Sequence, residues 1–185
     1  MLSKLEFENA QQRALEYFEK AKIVLTESEK EKIEVADFGL GRLNEIGLEI
    51  LVYVNTERCC AKELVLFPYQ ICPEHRHPDV DGRMGKEETF RCRFGTVFLY
   101  VEGEPTESII ATVPSDKQKT FTVKHEIVLC PGDQFTLKPG MLHWFQAGAD
   151  GAVVSEFSTK SLDELDIFTD TEIKRIPEIE KLNLG

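Results

Sequence analysis

Three imidazoles and one carboxylate can hold a divalent metal ion, and this chain carries such a set. His75 and His77 stand two residues apart in Cys72-Pro73-Glu74-His75-Arg76-His77-Pro78, and on a strand positions i and i+2 share a face. Both rings can then reach one ion. An acid follows at Glu88, and a third histidine, His143, ends the segment that begins at Gly132 and contains the turn Pro139-Gly140. An N3O set of this kind leaves octahedral positions open for a substrate and suits Mn, Fe, Co or Ni, with affinity alone selecting none of them.

Two neighbouring acids, Glu87 and Glu88, compete for the fourth position, and strand parity separates them. With Glu88 inward, Phe90 and Cys92 share its face while Thr89, Arg91 and Arg93 face out. With Glu87 inward, both arginines enter the core, where unpaired charge is expensive. Glu88 is therefore the expected ligand. Between His77 and Glu88 the segment Asp79-Val80-Asp81-Gly82-Arg83-Met84-Gly85 is a loop with Asp81-Gly82 as its turn.

The elements that must position these residues follow from periodicity. Glu6 to Lys22 has Phe7, Ala10, Ala14, Tyr17, Phe18 and Ala21 at roughly helical spacing. Thr26-Glu27-Ser28-Glu29 is a capping-box pattern opening a short second helix toward Ile33. From Gly47 the texture changes to strands, at Leu48 to Val54, Lys62 to Phe67, Thr89 to Arg93, Val97 to Val101, Thr120 to Leu129, Phe135 to Leu137, Trp144 to Ala147 and Val153 to Phe157. Many short strands separated by turn residues indicate a mainly β sandwich or barrel. The chain divides into an N-terminal helical segment (1–46), the barrel (47–160) and a C-terminal extension (161–185), together one structural domain. The tail from Ile167 to Ile179 is expected to pack back or to pair with another subunit.

A length of 185 residues with 42% hydrophobic content supports one core of ordinary size. The net charge of −11, from 22 basic and 33 acidic residues, opposes binding to nucleic-acid phosphates or anionic lipid. No apolar run approaches the roughly 20 residues of a membrane helix, and Met1-Leu2-Ser3-Lys4-Leu5-Glu6 does not open a signal peptide, so the expected location is cytoplasmic. Five cysteines without a CxxC pair read as free, buried thiols. Cys72, three residues before His75, is expected on the opposite strand face and outside the metal shell. His125 lies in no motif, and Trp144 is expected on the face opposite His143, as core or interface.

The His75/His77/Glu88/Gly95 set and the Gly132 to His143 segment resemble the two cupin motifs. Lys138 stands where that family has proline, and the His77–Glu88 gap is longer than the family pattern. Further stretches resemble the cupin-type D-lyxose ketol-isomerases of bacteria: Gly39-Leu40-Gly41, Val52-Tyr53-Val54-Asn55-Thr56, Lys62 to Pro68, Cys72 to Pro78, Glu88 to Arg93, His143 to Gly148 and Asp166-Ile167-Phe168-Thr169-Asp170. The resemblance spans nearly the whole chain. It implies a single-domain cupin β-barrel (jelly roll) with N-terminal helices. It also implies a homodimeric, Mn²⁺-dependent isomerase (Co²⁺, Fe²⁺, Ni²⁺ or Zn²⁺ as alternatives) that interconverts D-lyxose and D-xylulose, and D-mannose and D-fructose.

Such a reaction moves hydrogen between C1 and C2 and needs an acid/base group beside the metal. Glu156 is an acid inside the apolar strand Val153-Val154-Ser155-Glu156-Phe157, where burial favours a raised pKa. Lys86 shares the face of Glu88, and Lys62 opens an apolar strand within reach of a sugar hydroxyl or enediolate oxygen. Each has a plain alternative: Glu156 facing outward on an edge strand or pairing with a basic neighbour, Lys86 as a loop charge, Lys62 extending to solvent. Asp166 and Phe168 are candidates for closing the pocket. An iron-dependent cupin dioxygenase is the rival enzyme, and a non-catalytic sugar-binding cupin the rival from another class.

Overall fold

A computed structural model describes residues 2–176. Helix α1 (Lys4–Lys20) is followed by the single-turn α2 (Glu27–Lys30) and strands β1 (Glu34–Ala36), β2 (Leu48–Asn55), β3 (Cys60–Leu66), β4 (Ile71–Arg76), β5 (Glu88–Val101), β6 (His125–Leu129), β7 (Gln134–Leu137), β8 (His143–Ser158) and β9 (Ile167–Phe168). The strands form one curled, largely antiparallel sheet in the order β1-β2-β3-β8-β4-β9, with β5 pairing β6, β7 and β8. This is the expected mainly β cupin barrel with N-terminal helices.

Strand β8 organises the sheet. Its first part, from His143, lies between β4 and β5; its second part, to Ser158, lies between β3 and β5. The sequence divides β5 and β8 into two strands each, whereas the structure keeps each continuous and bends it. Register shifts at Cys92/Phe94 and Gly95/Val97 provide the bends. At Gly95, with φ of 72°, an added Cβ would lie 1.9 Å from the Gly151 carbonyl oxygen, so only glycine allows the two chains to approach there. Of the expected strand Thr120 to Leu129 only His125–Leu129 forms, and β4, the strand assumed for His75 and His77, ends at Arg76, one residue short of His77.

Both faces of the sheet are covered near α1, which explains its apolar strands. Leu48, Ile50, Leu64, Leu66 and Val154 point into the barrel. Leu51, Val65, Phe67 and Val153 point out against Ala10, Ala14, Tyr17 and Phe18 of α1. The α1 start is fixed by a capping box between Ser3 and Glu6, and α2 by the predicted one between Thr26 and Glu29. Trp144 is core, stacked on Tyr100 at a centroid distance of 4.0 Å. The expected tail is described only as far as Ile176; residues 177–179 lie outside the described part.

Glu49 is an exception in this outer core. It is fully buried, its Oε1 accepts a hydrogen bond from Gln70 Nε2 at 3.3 Å, and its Oε2 has no hydrogen-bond partner among the described residues. Burial pushes this carboxyl up to about 8, against weaker opposition from the Gln70 hydrogen bond and then from Arg13. Between the ordinary carboxyl range and about pH 8 the unfolded chain ionises here while the folded protein stays protonated. Stability is therefore lost as pH rises through that window. Glu49→Gln removes the dependence: its stability gain over the parent should be larger at pH 8 than at pH 5 by at least about 1 kcal/mol, roughly 2–4 °C in Tm. Equal melting differences at both pH values would show that Glu49 is not the titrating group.

Candidate functional site

The barrel brings His75, His77, Glu88 and His143 together at one end. Antiparallel register sets His75 of β4 opposite His143 of β8, and their rings lie 4.3 Å apart. His77 follows β4 by one residue on the face of His75. One nitrogen from each of the three rings lies within 4.8 Å of the others. Glu88 opens β5, and its Oε1 lies 2.9 Å from His77 Nε2 and 3.2 Å from His143 Nε2. Parity selects as expected: Glu88 is buried and Glu87 exposed, while Phe90 and Cys92 point in and Arg91 and Arg93 out.

The other nitrogen of each ring defines what the cluster can bind. His75 Nδ1 lies 2.8 Å from the Pro73 carbonyl and His143 Nδ1 3.0 Å from the Met141 carbonyl. A carbonyl oxygen only accepts, so both Nδ1 atoms carry hydrogen and both Nε2 atoms present lone pairs. His77 Nδ1 donates likewise to Asp166 Oδ1 at 2.5 Å. Three lone pairs and a carboxylate oxygen thus converge in a buried space, and they repel one another unless a cation lies between them. Histidines oriented through their outer nitrogen in this way are typical of metal sites. The donor set fits a divalent ion. A proton is the competing cation: burial disfavours charge on His77, but the Glu88 and Asp166 carboxylates outweigh it and raise the ring to about 9. Burial and the adjacent imidazoles hold His75 well below the ordinary histidine value.

A charged network surrounds the cluster. Lys86 Nζ lies 2.8 Å from Glu88 Oε2 and 3.0 Å from Glu156 Oε1, so it bridges the two acids. Lys62 is directly opposite Glu156 in the β3–β8 register; its Nζ lies 3.7 Å from Glu156 Oε1 and 2.6 Å from Asp163 Oδ2. Burial opposes charge on Lys86, yet Glu156, Glu88 and Asp163 hold it well above the usual lysine value. Burial likewise opposes the Glu88 carboxylate, and Lys86 and His77 reverse that to hold it well below the usual range. Lys62, Lys86 and Glu156 are all buried, which excludes the solvent-facing alternatives. Glu156 does not stand in apolar surroundings, as its strand suggests, but between two ammonium groups and the Ser158 hydroxyl at 3.1 Å.

Two features differ from the sequence reading. Cys72 lines the same cavity as His75, because a register shift between Cys72 and His75 breaks the simple parity. Asp163 was not legible at all. It sits in a 3₁₀ turn (Asp163–Leu165) past the barrel, where neither parity nor motif spacing locates a side chain. Asp166 and Phe168 close the pocket as expected, with the Phe168 ring 5.4 Å from that of His75.

The space inside this shell is small, about 40 Å³, with Phe38, Leu64 and Phe90 forming its apolar wall. Outside it lies a hollow of about 530 Å³ between residues 77–86 and 159–166, and His77, Lys86 and Asp166 line both. The predicted Asp81-Gly82 turn is present, with positive φ at both residues and a Val80–Arg83 bridge, the backbone of a type I′ hairpin. At Gly85 a Cβ would fall 2.1 Å from the His77 carbonyl oxygen, so glycine lets the loop return against the site.

A curled β-barrel with a three-histidine cluster at one end, able to hold a metal ion, defines the protein as a cupin. Solved structures support the fold. An L-ribose isomerase of Acinetobacter sp. DL28, crystallised as a variant with L-ribose, has a TM-score of 0.81 at 15% identity, with 97% of this chain and 98% of that one covered. The L-ribose isomerase of Cellulomonas parahominis has a TM-score of 0.76 at 17% identity over 93% and 94% of the two chains. The chain belongs to the D-lyxose isomerase family, whose model matches residues 16–183. It is 62% identical over 179 residues to a D-lyxose ketol-isomerase of a Thermofilum species, covering 97% of this chain and 99% of that protein. To a D-lyxose/D-mannose isomerase of Thermosediminibacter oceani it is 61% identical, with 97% and 99% covered.

Proposed function

We propose that the protein is a metal-dependent aldose–ketose isomerase that interconverts D-lyxose and D-xylulose, and D-mannose and D-fructose, with Mn²⁺ at the His75, His77, Glu88 and His143 cluster. The carrying observation is the pairing of that cluster with a buried acid, Glu156, held by two lysines. The names of the relatives supply D-lyxose and D-mannose, and D-xylulose and D-fructose are the ketoses that form when the carbonyl of each moves to C2. The homodimer rests on the resemblance alone, and the cytoplasmic setting on the sequence expectation alone.

A bound divalent ion would act as a Lewis acid toward adjacent sugar oxygens. The protein's own residues supply the rest. Glu156 takes the proton from C2 of the aldose and delivers it to C1, which needs a carboxylate that neither coordinates nor faces solvent, while the hydroxyl proton leaving O2 is relayed to O1 by the Lys86 ammonium, which gives up one hydrogen as it takes up the other. Lys86, placed between Glu88 and Glu156, is positioned to donate a hydrogen bond to an oxygen that gains negative charge. Lys62 holds Asp163 on one side and Glu156 on the other, fixing the acid's orientation. Phe38, Phe90 and Phe168 exclude water from the reacting carbons. This polar, doubly acid-and-base shell suits a polyol better than the aromatic or thiol substrate of a cupin dioxygenase.

The direct test is ketose formation. Mn²⁺-loaded protein should convert D-lyxose to D-xylulose, a chelator should abolish conversion, and added Mn²⁺ should restore it. Metal-bound protein that forms no ketose from D-lyxose or D-mannose would refute the reading, and oxygen uptake with another substrate would favour the dioxygenase.

A further inference from the structure

Glu74, next to His75 but outside the inner cavity, is only 1% exposed and carries no ion pair among the described residues. Four donors surround its carboxylate instead. Oε1 accepts from the hydroxyls of Thr122 at 2.8 Å and Thr169 at 2.6 Å. Oε2 accepts from the backbone N–H groups of Thr122 at 2.5 Å and Val123 at 2.9 Å. Its own carbonyl accepts from Thr169 N–H at 3.0 Å. A buried carboxylate needs such compensation, and here the donors come from two segments that are otherwise distant, 122–123 and 169.

The link to Thr169 matters because of what precedes it. Asp166 orients His77, Phe168 lies against His75, and Asp163 holds Lys62 at 2.6 Å and Lys86 at 3.7 Å. Strand β9, which carries these residues to β4, is two residues long and pairs only as His75↔Phe168 and Arg76↔Ile167. So short a pairing specifies register weakly, and a slip by one residue would turn Phe168 and Asp166 away.

We infer that Glu74 is a positioning residue for the site: hooked to Thr169, it sets the register of residues 163–169 on β4 and thereby keeps Asp166 on His77 and Asp163 on the lysines. The activity consequence rests on the isomerase reading; the metal and backbone consequences do not.

Thr169→Val removes only the hydroxyl and leaves the arm to 122–123 intact. Glu74→Leu removes both arms, and Glu74→Gln is the conservative control, since its carbonyl can accept the two N–H groups while the threonine hydroxyls rotate to accept from its amide. Amide exchange in the metal-free variants and Mn²⁺ affinity by chelator competition are the measurements. In Thr169→Val the amides of residues 166–169 should exchange at least about tenfold faster with the barrel amides unchanged, and Mn²⁺ should bind about tenfold more weakly, the low end for removing support of a ligand. Glu74→Leu should show both effects more strongly, and Glu74→Gln should recover most of each. Parental exchange at 166–169 and parental Mn²⁺ affinity in Thr169→Val overturn the inference, even if Tm falls. If Glu74→Leu does not fold, Thr169→Val still decides. Parent protein that forms no ketose refutes the isomerase reading and leaves these two measurements to judge the hook.

Discussion

Glu156→Gln should keep its metal, fold and sugar affinity and lose turnover by at least about two orders of magnitude, within the usual range for removing a general acid–base. The substitution preserves size and can still accept the hydrogen bonds from Lys86 at 3.0 Å and from the Ser158 hydroxyl at 3.1 Å, losing only the ion pair with Lys62 at 3.7 Å. What it removes is the capacity to carry a proton between carbons. Steady-state kcat on D-lyxose, with metal content measured on the same sample, decides it. Unchanged kcat would exclude Glu156 and move the role to Lys86, for which Lys86→Met is the matching variant. Loss of metal in Glu156→Gln would instead place Glu156 among the groups that hold the ion.

Metal binding itself should collapse in His143→Ala and in Glu88→Gln, while Glu87→Gln should bind about one ion per chain like the parent. His143→Ala removes one of three converging Nε2 atoms, and Glu88→Gln removes the anionic oxygen that faces His77 and His143 at 2.9 and 3.2 Å. Because His77 holds a proton up to about 9 in the metal-free site, metal must displace that proton. Affinity should therefore rise with pH through the neutral range and level off above about 9. Elemental analysis after desalting, followed by titration at several pH values, measures both. Full occupancy in His143→Ala would remove β8 from the site, and loss in Glu87→Gln instead of Glu88→Gln would show that the wrong acid had been selected.

Where an alternating pattern or fixed spacing existed, the sequence located side chains well. The i, i+2 relation of His75 and His77, the choice of Glu88 over Glu87, the Asp81-Gly82 turn and the face shared by Lys86 and Glu88 all hold in the structure. The difficulties arise where local regularity is interrupted. Gly95 and the segment Gly148-Ala149-Asp150-Gly151 look like strand ends, yet β5 and β8 run through them as bends because cross-strand pairing on both sides outweighs the turn preference. Cys72 changes face because of an irregularity that residue types do not announce. Residues 120–124 look like a strand, yet Thr120 closes a 3₁₀ turn and Thr122 and Val123 give their N–H groups to the Glu74 carboxylate. Asp163 reaches Lys62 across 101 positions in sequence, a contact only the tertiary structure defines.

The way β8 threads between β3, β4 and β5 also governs how the molecule is made. Its partners lie far back in the chain: Glu156 meets Lys86 across 70 positions and Ser155 meets Glu63 across 92. Closing such loops early is entropically unfavourable, so a topology of this kind is expected to fold slowly. A nascent chain that has produced His75, His77 and Glu88 still lacks His143, Glu156 and Asp163. A metal ion held by all four groups would require β4, β5 and β8 to be paired first, so its binding would stabilise the folded state by mass action.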